Sequence, residues 1–224
     1  MAKILGICGS PRKGATEYAM LQALEEAKKI PGIEVDFWTV RGKNIAPCIH
    51  CDACMRKAEK CTIQDDMGEL EKKLLEADGF IIGSPVYDMG ITAQLTAVLN
   101  RLRHMYLVHG CNLQNKVGAA ITTGGTRYGG QEMARLPIIN FFLMHEVLVT
   151  GGLIGGYTGA SIWSKDAKEQ GAKEDEVGMN TIKRLGRGIA EAVKVSKYGL
   201  EKWNTEKDEL GILSEDEKSP VKDH

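Results

Sequence analysis

Four of the chain's six cysteines lie in one stretch of fifteen residues, "PCIHCDACMRKAEKC". Their spacing is C-x2-C-x2-C-x6-C, so a tight loop can present three thiolates to one centre while a fourth arrives from further along. Four thiolates can ligate a [4Fe–4S] cluster or zinc, and His50 could replace one thiolate at zinc. Zinc sites more often pair two C-x2-C turns across a longer spacer. The spacing therefore favours a cluster, with zinc, disulfides and redox-sensing thiols as alternatives.

A glycine-rich stretch, "GSPRKGAT", follows the first predicted strand. An alanine stands where a P-loop needs its phosphate-binding lysine, and the glycine spacing does not match the dinucleotide fingerprint. Ser10 and Thr16 supply hydroxyl groups, and Arg12 and Lys13 supply positive charge, directly before a predicted helix N-terminus. This combination suits one terminal phosphate monoester. The competing interpretation is an ordinary βα turn that Thr16 caps.

Two further loops follow the third and fourth predicted strands, "SPVYDMG" and "TTGGTRYGG". Pro85, Val86 and Tyr87 offer an apolar wall and an aromatic face. Gly124 and Gly125 let backbone N–H groups approach a ligand closely. Each signal is weak alone, but the carboxyl ends of neighbouring strands form the ligand crevice of an open α/β sheet. Together the loops predict a site for a flat heteroaromatic ring.

Short apolar runs alternate with amphipathic patterns along the chain. The pattern predicts strands at 3–8, 35–40, 79–85, 117–123 and 146–156, and helices at 15–29, 65–78, 91–106, 131–146 and 176–196. Runs without polar alternation are typical of parallel strands buried on both faces. We therefore predict an α/β fold: a doubly wound, five-stranded parallel sheet with helices on both faces. Residues 1–200 would form one domain with the cysteine loop inserted at 47–61, and residues 201–224 a charged C-terminal tail.

Composition narrows the function classes. The formal net charge is −1, so no global field favours nucleic acid or an anionic membrane. The N-terminal apolar run is too short for a signal peptide, and no stretch is apolar for long enough to span a membrane. We expect a cytoplasmic protein with a small-molecule or protein partner. Cys8 and Cys111 lie outside the cysteine run and are expected to be structural.

The motifs "GSPRKGAT", "GSPVYDMGITAQL" and "TTGGTRYGGQE" together resemble the flavodoxin-like, NAD(P)H-dependent FMN reductase superfamily over residues 1–195. With the cysteine run, the chain resembles the archaeal and anaerobic-bacterial iron–sulfur flavoproteins. The resemblance implies an oxidoreductase with FMN and one [4Fe–4S] cluster, assembled as a homodimer or homotetramer. The family's first loop often has Asn before its Thr, where this chain has Ala15, so one side-chain contact to the phosphate is expected to be missing.

The resemblance also assigns residues. FMN phosphate would be held by Ser10, Arg12, Lys13, Gly14, Ala15 and Thr16, the flavin ring by Pro85, Val86, Tyr87, Asp88, Thr123, Gly124, Gly125 and Thr126, and the cluster by Cys48, Cys51, Cys54 and Cys61. No catalytic side chain is predicted, because the cofactors carry the chemistry. Asp65 and Asp66 are interpreted as helix-start residues.

Three functions compete. The leading prediction is electron transfer between a one-electron donor such as ferredoxin and a small oxidant or two-electron acceptor. The first alternative is an NAD(P)H-dependent FMN or quinone reductase with zinc or no metal at the cysteines. The second is a redox-sensing or scaffold protein that binds no flavin.

Overall fold

The computed structural model of the protein describes residues 1–57, 60–107, 112–152 and 155–211. In these ranges the strands are β1 (Ala2–Cys8), β2 (Ile33–Thr39), β3 (Gly79–Pro85), β4 (Val117–Gly124), β5 (Leu148–Val149) and β6 (Ala160–Trp163). The helices are α1 (Ala15–Lys28), α2 (Ala53–Lys57), α3 (Met67–Glu76), α4 (Ala93–Arg101), α5 (Arg103–Leu107), α6 (Gln131–Met144), α7 (Lys168–Glu174) and α8 (Glu176–Leu210). Cys111 and residues 212–224 lie outside the described residues.

The strands form one parallel sheet in the order β2-β1-β3-β4-β5. This is the flavodoxin-type doubly wound order, in which the ligand crevice lies at the carboxyl ends of β1 and β3. The predicted fold class is confirmed. The sheet places the loops after β1, β3 and β4 side by side, because these strands are direct neighbours.

The fifth position in the sheet is divided between two short strands, where one strand was predicted. β5 pairs with the first two residues of β4, and β6 pairs with Ile121–Gly124 at its other end. Six strands therefore occupy five positions. Of the described residues in the predicted run 146–156, Leu148 and Val149 form a strand of the sheet. The edge resumes at "ASIW", a run of four residues that was not predicted as a strand.

Alternating side chains of the buried strands pack against helices on both faces. On one face, Ile4, Ile81 and Ile121 join a core with α1 and α8. On the other, Leu5 and Phe80 join a core with α3, α4 and α6. Burial of this apolar surface on both sides stabilises the sheet and fixes the positions of its carboxyl-end loops.

The last helix is longer than predicted. α8 has 35 residues and ends at Leu210, and the C-cap residue Gly211 has a left-handed φ of +63°. Charged pairs one turn apart, such as Lys202 with Glu206, support its exposed end. The first part of the predicted tail is therefore helical. None of the described helices is both long enough and apolar enough to cross a membrane.

Candidate functional site

The loop after β1 forms a tight turn into α1. The buried Ser10 hydroxyl donates to the carbonyl of Arg12 at 2.7 Å and accepts from the Arg12 amide at 3.3 Å. α1 begins at Ala15, and Tyr18 donates the first helical bond, to Gly14. The N–H groups of the first turn have no earlier carbonyl within the helix and lie at the positive end of its dipole. This arrangement fits a phosphate group.

Hydrogen bonds join the three predicted loops to one another. The buried hydroxyl groups of Thr16 and Thr123 lie 2.6 Å apart, which connects the start of α1 to the end of β4. The amide of Val86 donates to the Thr123 carbonyl at 2.8 Å. Thr92 donates from its hydroxyl to the Gly9 carbonyl at 2.6 Å. The loops therefore form one connected surface at the carboxyl edge of the sheet.

The second loop is a small hairpin that projects side chains outward. Tyr87 and Gly90 exchange two backbone hydrogen bonds, of 3.0 and 2.9 Å. Asp88 and Met89 between them have φ of +47° and +64°, as both central residues of a type I′ turn require. Tyr87 is 41% exposed and Met89 57% exposed. An aromatic and a thioether side chain are thus available to contact a flat ligand.

The third loop is fixed by the strand at the sheet edge. Ser164 donates its amide to the Gly124 carbonyl at 2.8 Å, and the Trp163 indole donates to the Gly125 carbonyl at 3.0 Å. A Cβ atom on Gly125 would collide with the Asp166 carboxylate. Gly125 therefore lets the third loop lie directly against the Asp166 side chain of the β6–α7 connection.

The four cysteines line a single small cavity. Cys48, Cys51, Cys54 and Cys61 surround about 20 Å³, room for about one water molecule. All four are free thiols; Cys51 is exposed and the others are partly exposed. Within the part of the chain that the structure describes, no three His, Cys, Asp or Glu side chains have metal-binding geometry. The donor set fits a thiophilic centre because the sulfur atoms share one cavity, although they do not stand at ligand distances.

A buried ion pair fixes both ends of the cysteine segment. Arg101 at the end of α4 donates to Asp65 at 2.6 and 3.2 Å, and the two side chains are 1% and 3% exposed. Arg101 also donates to the carbonyl of Ala46, before the first cysteine, and to that of Ile63, after the last. Its guanidinium also interacts with the Cys61 side chain. We call Arg101 and Asp65 the cysteine-loop clamp.

The clamp also sets the charge of Asp65. Burial opposes ionisation of this carboxyl group. Hydrogen bonds from Arg101 and from the amides of Ala46 and Met67 outweigh that cost, so the pKa of Asp65 lies below its usual value. Asp65 therefore does more than mark the start of α3. At neutral pH both members of the clamp are charged.

A second, more exposed pair lies on the same side of the cavity. Arg103 donates to Asp52 at 2.7 Å, and the two side chains are 29% and 37% exposed. Its hydrogen bond lowers the pKa of Asp52. Two guanidinium groups thus line the cysteine cavity, and each is paired with a carboxylate.

Helix α4 connects the two predicted cofactor regions. Thr92 caps its N-terminus by accepting from the Leu95 amide at 3.1 Å, while also bonding the first loop. Arg101 ends the helix nine residues further on, a rise of about 13 Å. The flavin loops and the cysteine loop are therefore held by opposite ends of one rigid element.

Outside the cysteine run, the structure describes the surroundings of one cysteine and two histidines. Cys8 is fully buried in β1, and burial raises its pKa to about 11, so the expected structural role is supported. His104 is buried, with Nδ1 3.0 Å from the Arg101 carbonyl. His145 packs against the Phe141 ring, and burial lowers its pKa to about 4. Cys111 and His109 lie outside the described residues.

Sequence reasoning missed the residues that connect the loops. Thr92, Arg101 and Ser164 each bond to a segment distant in sequence. Thr92 had one recognisable signal, because a hydroxyl residue directly before an amphipathic run is a typical N-cap. The clamp had none, since 36 residues separate its members.

Comparisons with known proteins agree with this architecture. Residues 2–155 match the family described as NADPH-dependent FMN reductase. An iron–sulfur flavoprotein of Archaeoglobus fulgidus is 43% identical over 85% of this chain and 97% of its own length. An iron–sulfur flavoprotein of Methanocaldococcus jannaschii is 41% identical over 88% of this chain and 100% of its own length.

Solved structures give the same fold at low sequence identity. RosB, with a bound 8-demethyl-8-formylriboflavin-5′-phosphate intermediate, superposes with a TM-score of 0.71 at 17% identity, covering 100% of this chain and 95% of its own. FerB from Paracoccus denitrificans, an NAD(P)H:(acceptor) oxidoreductase, has a TM-score of 0.62 at 13% identity, covering 88% of this chain and 99% of its own. At these identities the similarity concerns the fold alone.

Proposed function

Because this chain belongs to the iron–sulfur flavoproteins, within the NADPH-dependent FMN reductase family, we propose that it binds FMN and a [4Fe–4S] cluster. The chain is an oxidoreductase. In this proposal it passes electrons between a one-electron donor such as ferredoxin and a small oxidant or two-electron acceptor. The observation that carries the proposal is the convergence of three hydrogen-bonded loops at the carboxyl edge, with a four-thiol cavity at the far end of α4.

The first loop would bind the flavin phosphate. The residues proposed to hold it are Ser10, Arg12, Lys13, Gly14, Ala15 and Thr16. The unpaired N–H groups of the first turn of α1 supply donors. The Thr16 hydroxyl also fixes this loop to Thr123, so the phosphate site and the ring site cannot shift independently.

The second and third loops would bind the isoalloxazine ring. The residues proposed to hold it are Pro85, Val86, Tyr87, Asp88, Thr123, Gly124, Gly125 and Thr126. The exposed Tyr87 side chain can cover an aromatic face and exclude water from it. FMN, when bound, supplies chemistry that accepts two electrons together and releases them singly.

The cysteine loop would bind the cluster through Cys48, Cys51, Cys54 and Cys61. A bound cluster supplies single-electron transfer. Arg101 and Arg103 line the same cavity, and their ion pairs with Asp65 and Asp52 attach the cysteine segment to neighbouring helices. The clamp fixes the residues on both sides of the loop and thereby limits how far the four sulfur atoms can move apart.

Anaerobic purification with iron, acid-labile sulfide and flavin analysis tests the proposal. We expect four irons, four sulfides and one FMN per chain, as the formula [4Fe–4S] requires. A Cys54→Ser variant should lose iron and sulfide but keep FMN. The matched control is Cys8→Ala, which removes a thiol from β1 and should keep the cluster. Zinc without sulfide in the wild-type protein contradicts the cluster assignment.

The second candidate is an NAD(P)H-dependent FMN or quinone reductase with zinc or no metal at the cysteines. The family description, NADPH-dependent FMN reductase, favours it. It predicts that stoichiometric NADPH bleaches the flavin at the same rate in the wild type and in Cys48→Ala. Reduction by ferredoxin but not by NADPH supports the first candidate. A colourless protein after FMN reconstitution contradicts both.

We also propose that the protein is a homodimer or homotetramer. The outer face of α6 exposes Met133, Leu136, Leu143 and Met144, each at least 44% accessible. Apolar side chains grouped on one surface are typical of interaction sites. Sedimentation equilibrium should give two or four chains per particle, and a Leu143→Glu change should lower that number.

A further inference from the structure

A cleft of about 930 Å³ opens beside the proposed flavin site. Its walls include Met89 of the second loop, Tyr128 of the third loop and Trp163 at the end of β6. Gly130 directly contacts Met89, because a Cβ at this glycine would collide with the methionine side chain. The cleft therefore begins where the two ring-binding loops meet and extends away from the phosphate loop. A ligand in it would lie next to the flavin.

The cleft contains a buried arginine that forms no ion pair with any carboxylate of the described residues. Arg135 of α6 is 3% exposed. Its two terminal nitrogens donate to the Gly156 carbonyl at 3.3 Å and the Ser161 hydroxyl at 2.9 Å. Its Nε has no hydrogen-bond partner among the described residues. Burying a guanidinium against neutral acceptors alone is costly, and an anion would offset that cost.

A second guanidinium lies on the aromatic wall of the same cleft. Arg127 stacks over the Trp163 ring, with 4.2 Å from its central carbon to the ring centroid. Its side chain is exposed, and no carboxylate of the described chain lies within ion-pair distance. Lys165 also faces this ring, but it pairs with Glu174. Arg127 is therefore free to bind an anion while Trp163 offers a flat apolar surface.

We propose that this cleft binds an organic two-electron substrate through its phosphate or carboxylate group, with Arg135 and Arg127 as the anion-binding residues and Trp163 as the surface for its flat part. The inference rests on the proposed function, because the cleft gains a redox role only from the flavin beside it. Glu132, exposed at the start of α6, acts electrostatically on Arg135. Its negative charge should weaken anion binding.

Calorimetric titration of FMN-loaded protein in phosphate-free buffer tests the site. The probes are inorganic pyrophosphate and benzoate, which distinguish phosphate from carboxylate recognition, followed by NADPH and NADH. Arg127→Gln should weaken binding of the recognised anion about 10- to 100-fold, as loss of a charge-assisted hydrogen bond implies. Glu132→Gln should strengthen it. The matched control is Arg184→Gln, which removes one exposed positive charge from α8 outside the cleft.

The outcomes separate the two proposals. If neither probe binds the wild type, or if Arg127→Gln binds as Arg184→Gln does, the cleft assignment is wrong. An Arg135→Lys variant that retains wild-type anion affinity overturns the role of Arg135. If Glu132→Gln leaves affinity unchanged while both arginine variants weaken it, Arg135 only supports the 155–161 segment and is not a ligand. If the chain takes up no FMN, the proposed function fails, while the same titrations on the flavin-free protein still decide whether the cleft binds anions.

Discussion

The cysteine-loop clamp gives the sharpest prediction. An Arg101→Gln change removes the positive charge that faces the Asp65 carboxylate, which is 3% exposed and otherwise accepts, among the described residues, from the backbone amides of Ala46 and Met67. Breaking a buried ion pair on one side costs about 3–5 kcal/mol. The pair attaches the cysteine segment to α4 and lies outside the two apolar cores. The lost stabilisation should therefore lower the free energy of local opening of this segment rather than that of global unfolding. At about 1.4 kcal/mol per factor of ten, local opening should rise at least about 100-fold.

Hydrogen exchange measured by mass spectrometry on peptides around Ala46 and Met67 reads this opening, because both amides donate to Asp65. The matched control is Arg103→Gln, which breaks an exposed pair at the neighbouring position and should change exchange by less than about fivefold. Equal exchange rates in Arg101→Gln and Arg103→Gln would refute the reasoning.

Three further predictions follow from burial and charge. The pKa of Asp65 is lowered in the folded state, so the ionised carboxylate contributes its full stability above about pH 5 and loses it as the pH falls below about 4. In urea titrations, the difference in the free energy of unfolding between the wild type and Asp65→Asn should become smaller over that pH range. The pKa of Cys8 is about 11, so iodoacetamide at pH 8 should alkylate it more than about 100-fold more slowly than a free thiol, and equal labelling contradicts its burial. Lys116 donates to three carbonyl groups at the end of α3 and thereby caps this helix. Lys116→Met should lower the free energy of unfolding by about 2 kcal/mol. An unchanged urea midpoint would contradict this role as a C-cap.

The parts of the fold that depend on local pattern were predictable. β3 and β4 are fully buried runs without polar alternation, and α1 and α6 begin within a residue of their expected positions. The loops at the carboxyl edge follow from that alternation, because parallel strands end at the same side of the sheet. Residue types then indicated which of these loops could approach a phosphate or a ring.

The remaining features depend on contacts between distant segments, or on strand and helix ends that the amino-acid composition of the segment does not indicate. The run at 146–156 is apolar enough for a strand, but Gly151 and Gly152 pack directly against backbone atoms of the 156–159 segment, and the chain leaves the sheet. α8 continues through a charged stretch because nothing breaks it before Gly211. The charge density suggested a tail, whereas a solvated helix satisfies the same composition.

The divided sheet edge constrains how copies of this protein can associate. A long edge strand exposes a row of unpaired backbone groups that recruits another chain. Here β5 has two residues and β6 has four, too few for an extended ladder. At the opposite edge, β2 carries the charged residues Glu34 and Asp36. Both edges therefore disfavour extension of the sheet from one copy into the next, and the proposed homo-oligomer is expected to use the helical faces instead.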